Sequence, residues 1–307
     1  MPDAGELAAL ATAGCWVATA LAFEAAGRRV GSLTVNLLRL LIAVVLQMVV
    51  CGLARGLVLP TDASAHAWLW LSVSGLVGFT FGDLCLFRAF VVLGSRLASL
   101  MMALAPPLTA VIGWLLLGEV LAPRDLAGMA LTVGGVAWAV AERGRPATTQ
   151  AAQAAGARRL AADRRWLGVA LGFGGALGQA GGLVLSKLGM GGYDPFAATQ
   201  IRVLAGTAGY LALFTLLGWW RRLPAALGDR PAMGLTAVGA FFGPFLGVSL
   251  SLVAVQRIQA GVAASLMATT PVLIIPVVVL LGREKVGWGG VFGALSAVAG
   301  VAVLMLP

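Results

Sequence analysis

The chain has 307 residues, 60% of them hydrophobic and only 11% charged, with a net charge of +9 and a mean hydropathy of +0.96. A soluble globule carries about 25% charged residues, so these proportions exclude a water-soluble domain. Their apolar richness equally excludes a disordered chain. An integral membrane protein remains, with most of its apolar surface facing lipid.

Read from the N-terminus, ten apolar stretches reach the length of about 20 helical residues that a bilayer crossing needs. They run Leu7–Phe23, Leu33–Leu53, Trp68–Phe90, Leu97–Gly118 and Leu126–Ala141, then Trp166–Leu188, Phe196–Trp220, Ala232–Val255, Gly261–Leu281 and Val286–Leu306. Arg39 lies inside the second, Asp83 and Arg88 inside the third, and Arg202 inside the seventh. Continuous apolar blocks of this length predict helices rather than the alternating strands of a barrel. The fold class expected is therefore an all-α integral membrane protein of ten transmembrane helices. The first block has an acidic flank, Asp3 and Glu6, which does not suit a cleaved signal peptide.

An internal repeat organises the ten helices. Arg39 and Arg202 stand 163 positions apart, and the same shift aligns Asn36 with Thr199, Trp16 with Gln179 and Glu24 with Lys187. A shift of 165 aligns Gly78 and Gly82 with Gly243 and Gly247, Pro106 with Pro271, Glu119 with Glu284, and Gly135 with Gly300. The reading is two five-helix halves, residues 1–141 and 166–307, joined by an arginine-rich linker loop at 142–165. An odd helix number per half inverts the second half in the membrane. Inverted repeats mark secondary transporters, whose substrate site lies between the halves near the bilayer midplane.

These residues also carry a family likeness. Gly5-Glu6-Leu7 precedes the first helix and Trp16 lies within it. The second holds Asn36-Leu37-Leu38-Arg39, and the third Gly82-Asp83 and Phe87-Arg88-Ala89. Ala105-Pro106 lies in the fourth, and Leu117-Gly118-Glu119 ends it. In these features the chain resembles the drug/metabolite transporter superfamily, in its two-repeat EamA-type members. The second half keeps Arg202, Pro271 and Glu284 but has Val248 at the counterpart of Asp83 and Arg283 in place of the glycine. The resemblance implies ten helices, alternating access, and a central cavity lined mainly by the first, third and fourth helices of each half. It also implies a substrate among amino acids, metabolites, nucleotide sugars or drugs.

The candidate residues each admit two readings. Asp83 is a carboxylate at membrane depth, where charge is costly. It reads as a coupling-proton or cation site, or as a structural partner of Arg88 or Arg39. Asn36 and Arg39 share a helix face, as do Thr199 and Arg202. Either arginine reads as a ligand for an anionic substrate group, or as an interhelical lock within its half. Trp16, Phe79, Met102, Gln179, Phe245 and Thr269 fall on helices that would line the cavity, or else pack in the core. Pro106 and Pro271 read as a paired hinge or kink beside it. The glycine ladders Gly78/Gly82, Gly174/Gly178/Gly182 and Gly239/Gly243/Gly247 permit close helix contact, either in a homodimer or within one protomer. Glu119 is expected to pair with Arg124, and Glu284 with Lys285.

Chemistry beyond transport has little material. One histidine, His66, leaves almost nothing for a metal site or a Ser-His-Asp triad. Cys15, Cys51 and Cys85 are far apart and lack CxxC spacing. The chain has no GxxxxGK[ST] phosphate loop for an ATP-driven pump. No enzymatic activity, metal, cofactor or nucleic-acid partner is expected. Most arginines fall on one predicted side, among them Arg28, Arg29, Arg158, Arg159, Arg221 and Arg222, against Arg55, Arg124, Lys187 and Arg257 on the other. The positive-inside rule makes the first side cytoplasmic and puts both termini outside, whereas many two-repeat relatives are drawn with both termini inside. The leading expectation is a secondary-active exporter of small organic metabolites or drugs in the cell membrane, driven by a coupling proton or by exchange. The competing one is a non-transporting assembly or partner subunit, monomeric or homodimeric.

Overall fold

The computed structural model describes residues 3–93, 98, 101–142, 155–270, 272–273, 276–277 and 288–305, and every regular element among them is helical. Pro271, Arg283, Glu284 and Lys285 lie outside the described residues. Among the described residues, five helical runs are long and apolar enough to cross a bilayer: Ala4–Val30, Ser32–Arg55, Ala65–Ala89, Trp166–Met190 and Arg230–Arg257. A sixth arises if Pro195–Leu216 and Trp219–Gly228, bent by 101°, count as one span. The chain is a multi-pass membrane protein.

Helix α1 (Ala4–Val30) starts with a capping box: Asp3 accepts from the Gly5 N–H at 3.2 Å, and Glu6 accepts from the Asp3 N–H at 3.0 Å. Helix α2 (Ser32–Arg55) follows after Gly31. Helices α3 (Ala65–Gly75) and α4 (Asp83–Leu93) are joined by a π-helical stretch, Leu76–Gly82, into one continuous run. In the second half, α10 (Arg230–Ala240) and α11 (Val248–Arg257) are joined in the same way by a π-helical stretch, Phe241–Gly247. The two π stretches are 165 positions apart, so the wide turn is a repeated feature. Between these runs lie α5 (Ala105–Leu117), α6 (Pro123–Glu142), α7 (Ala155–Met190), α8 (Pro195–Leu216) and α9 (Leu223–Gly228). Helices α12 (Ala260–Met267) and α13 (Trp288–Leu304) complete the described elements.

Two expectations are corrected here. The linker read as a loop over 142–165 is helical from Ala155, because α7 extends back through it. Alanine, arginine and leucine are strong helix formers, and their propensity outweighs the lack of an apolar run. The fourth span, read as one helix over Leu97–Gly118, is broken by a turn at Ala103 and Leu104 just before Ala105-Pro106. The ninth has the same break at Ala268 and Thr269, 165 positions on. Pro106, Pro107 and Pro271 supply no N–H to the carbonyls four residues back, those of Met102, Ala103 and Met267, so the helical ladder is interrupted at both places.

Packing exchanges helices between the halves. Helix α1 runs along α10, the second π stretch and α11, while α7 runs along α3, the first π stretch and α4. Glycine makes the second crossing: a Cβ at Gly178 would lie 2.5 Å from the Gly82 Cα, and one at Gly182 would lie 3.0 Å from the Gly78 Cα. The ladders therefore pack inside one chain, and the homodimer reading does not apply to these faces. At the first crossing the partners are side chains: Thr19 fills the space at Gly243 and Trp16 that at Gly247. Helices α6 and α13 meet in the same reciprocal manner, a Cβ at Gly135 falling 2.4 Å from the Ala297 nitrogen and one at Gly293 falling 2.5 Å from the Ala139 nitrogen. In lipid no hydrophobic force drives helices together, so such close backbone packing and interhelical hydrogen bonds hold the bundle. Ser74 illustrates the latter, donating to the Gly182 carbonyl at 2.5 Å and lying 2.8 Å from the Ser186 hydroxyl.

Gly178→Ala should accordingly lower the thermal midpoint in detergent, by the equivalent of about 1–3 kcal/mol of overpacking. Gly14→Ala, on α1 with no atom within 4 Å of the new Cβ, should leave it unchanged or raise it. Differential scanning fluorimetry of the two variants checks this.

Candidate functional site

A cavity of about 240 Å³ lies between the two halves. Its walls use equivalent positions of the repeat. Met102 and Ala103 from the first half face Met267 and Ala268 from the second, and Ala105 has its counterpart in Thr270. Trp16 of α1 and Gln179 of α7, also equivalent, line it as well. Both breaks in the fourth helices therefore open onto this space. At the second break hydroxyls supplement the backbone bonding: Thr269 Oγ1 donates to the Leu266 carbonyl at 2.7 Å, and Thr270 Oγ1 to that of Met267 at 2.9 Å. Irregular backbone at membrane depth is tolerated where it lines a cavity and is re-satisfied in this way.

The charged groups sit to one side of the cavity. Asp83 begins α4, immediately after the first π stretch, and its backbone N–H reaches back to the Gly78 carbonyl. Arg39 Nη2 donates to its Oδ2, and Gln179 Nε2 donates to its Oδ1 at 2.9 Å. Asp83 is 6% exposed, and the Arg39 guanidinium lies 5.4 Å over the Phe23 ring. The carboxylate thus joins α2, α4 and α7, standing behind Gln179 rather than in the cavity wall. Val248, at the equivalent position of the second half, donates its backbone N–H to the Gly243 carbonyl in the same manner but brings only an apolar side chain to the wall.

Arg202, the counterpart of Arg39, is 5% exposed and lines the cavity. Its guanidinium lies 5.2 Å over the Phe79 ring, a cation–π arrangement. Its Nε has no hydrogen-bond partner, and no ion pair or hydrogen bond involves the side chain among the described residues.

Of the residues singled out from sequence, Trp16, Phe79, Met102, Gln179, Arg202 and Pro106 line the cavity, and Arg39 and Asp83 form the adjacent pair. Four are placed elsewhere. Arg88 is exposed, one and a half turns beyond Asp83 and on another face of α4. Asn36 is buried in the α2–α8 contact, where Nδ2 donates to the Tyr210 hydroxyl at 2.5 Å. Phe245 packs among Phe196 and Phe241. Thr269 bonds back to its own helix, and its neighbour Thr270 takes the wall position instead. A one-residue error of this kind follows from reading the ninth span as an unbroken helix.

Glu119 is a further correction. Its partner is Lys187 of the other half, at 2.6 Å, not Arg124. Glu119 Oε2 also accepts from the Ala260 N–H at 2.8 Å, capping α12, and Lys187 Nζ donates to the Ile258 carbonyl at 2.6 Å. The acid at the end of one half's fourth helix thus fixes the start of the other's. A wall residue that sequence did not single out is Val136; nothing in its apolar run distinguishes it.

A membrane bundle of two like halves around a shared cavity, with broken helices in its wall, is the architecture of a transporter. The EamA-like transporter family matches residues 3–141 and 166–306, and the chain belongs to that family, with one copy of the family unit in each half. A solved crystal structure is similar in fold over 99% of this chain and 96% of its own length, with a TM-score of 0.71 and 19% sequence identity. No curated protein matches the chain.

Removing one member of a buried ion pair strands the other, at a cost of about 3–5 kcal/mol, whereas replacing both with apolar residues is often neutral. Asp83→Asn should therefore destabilise the protein markedly in detergent, and the Arg39→Met, Asp83→Leu double variant should recover most of the loss. Thermal midpoints of the single and double variants measure the coupling.

Proposed function

We propose that this protein is a secondary transporter that carries a small organic molecule through the cavity by alternating access. The reading rests on one observation above others: equivalent positions of the two halves, including both broken fourth helices, line one shared cavity. A site built symmetrically between repeats opens to either side when one half rocks against the other. We infer ten membrane spans in two inverted five-helix halves, in keeping with the two family matches and the repeated π stretches. The charge bias along the sequence supports an orientation with the arginine-rich loops in the cytoplasm. Arg29 and Arg222 share one surface hollow with Asp229, and Arg124 and Arg257 another with Asp3, as that sidedness requires.

In this account Asp83 positions rather than carries. Its bonds to Arg39 and Gln179 hold it behind the wall, tying α2 and α4 to α7. Exchange without a coupled proton is the mode this arrangement favours, and uptake driven by a pH gradient would return Asp83 to a coupling role.

The test is counterflow in proteoliposomes against a panel of small metabolites. Ala268→Phe, which places a ring in the cavity, should cut the flux of any transported compound more than tenfold without changing the thermal midpoint. Leu116→Phe, on a 52% exposed position of α5, should leave both unchanged. A cavity variant with full flux would overturn the assignment of this space as the pathway.

A further inference from the structure

We infer that the transported molecule is a small organic monoanion, an apolar body bearing a single carboxylate that binds Arg202. The inference rests on the transport reading for the meaning of the cavity, but its chemistry comes from the charge arrangement alone. In the first half, Arg39 has a carboxylate, Asp83, in hydrogen-bond contact. In the second half, Arg202 is equivalent to Arg39 but Val248 stands where the acid would be, because the repeat did not keep it. Asp83 acts on Arg202 through space, but both its oxygens are already engaged by Arg39 and Gln179. A guanidinium is therefore buried at 5% exposure, on the wall of a cavity, with its Nε unpartnered and no ion pair among the described residues.

Buried cations are rarely left unpaired, because desolvation without a counter-charge costs several kcal/mol. The missing counter-charge is what a ligand can supply. A guanidinium presents a planar fork that matches a carboxylate with two parallel hydrogen bonds, and the Phe79 ring packs against it at 5.2 Å. The rest of the wall specifies the remainder of the molecule. Trp16, Met102, Val136, Leu183 and Met267 are apolar, while the wall hydroxyls of Thr109, Ser251 and Thr270 donate to carbonyls of their own segments and the Gln179 amide donates to Asp83, so the body that fills the space is largely apolar too. One uncompensated cation accommodates one negative charge. An ammonium on the same ligand would need a free acid, and the nearby Asp83 is already paired, which disfavours zwitterions. Substrate binding on this account completes in the second half the ion pair that the first half carries in its own sequence.

The full-length protein, purified in detergent, is titrated by calorimetry with hexanoate, benzoate and 3-phenylpropanoate, with the corresponding amides, and with 3-phenylpropylamine. At least one carboxylate should bind saturably and at least tenfold more tightly than its amide, with the amine not binding. Arg202→Gln should weaken that carboxylate at least tenfold, and Arg202→Lys should retain an intermediate affinity, since it keeps charge without the fork. If no carboxylate exceeds its amide, or Arg202→Gln binds it as tightly as the parent, the proposal is overturned. The wild-type comparison of acid and amide decides even where Arg202→Gln fails to fold. Counterflow separates this inference from the transport reading. A carboxylate bound but not exchanged would sink transport while leaving the site assignment, and robust exchange of only neutral or cationic compounds would do the reverse.

Discussion

The exchange of helices between the two halves is the constraint on which the rest of the structure depends. The first helix of each half packs on the third helix of the other, and at Gly178 and Gly82 the backbones approach too closely for any side chain. Neither half can bury these faces alone. The cavity follows directly, since its walls are mainly the first, third and fourth helices of both halves brought together by the crossing, with Val136 and Arg202 added from the helices beside them. Glu119 strengthens the same dependence from the end of the bundle, because it pairs with Lys187 and caps α12, both in the other half.

On this symmetric frame the charges are asymmetric. Asp83 and Val248 occupy equivalent places after equivalent π stretches, each with its backbone N–H turned to a carbonyl five residues back. One half closes its arginine with a carboxylate; the other leaves its arginine facing the cavity. On the proposed reading, that one substitution turns a structural ion pair into a binding group. The π stretches suit such a place, since a widened turn re-aims the side chain that follows it and is frequent at functional sites.

Much of this was legible in the sequence, for physical reasons. Apolar blocks of bilayer length announced a helical membrane protein, and residues spaced by 163 and 165 positions announced the repeat. Arg39, Asp83, Arg202 and Gln179 stood out because polar groups at membrane depth are costly. The partner of Asp83 was narrowed to two arginines but not chosen, since Arg88 shares its helix and Arg39 lies on another, and the face that Asp83 presents is set by the π stretch before it. Glu119–Lys187 was not found because the contact joins the halves, and local neighbours such as Arg124 were the nearer charges in sequence. Thr270 was missed in favour of Thr269 because a helix broken before proline changes its angular register at the break. The helix through 155–165 was read as a loop because an apolar criterion does not see a polar helix.

The most direct test of helix exchange is to divide the chain. The two halves, cut between residues 148 and 149 in the inter-repeat segment, are expressed separately and together, with an affinity tag on one. The account predicts that the tagged half retains the untagged one in a one-to-one complex whose thermal midpoint approaches that of the intact chain. Each half recovered as a stable monomer that does not retain the other would contradict it.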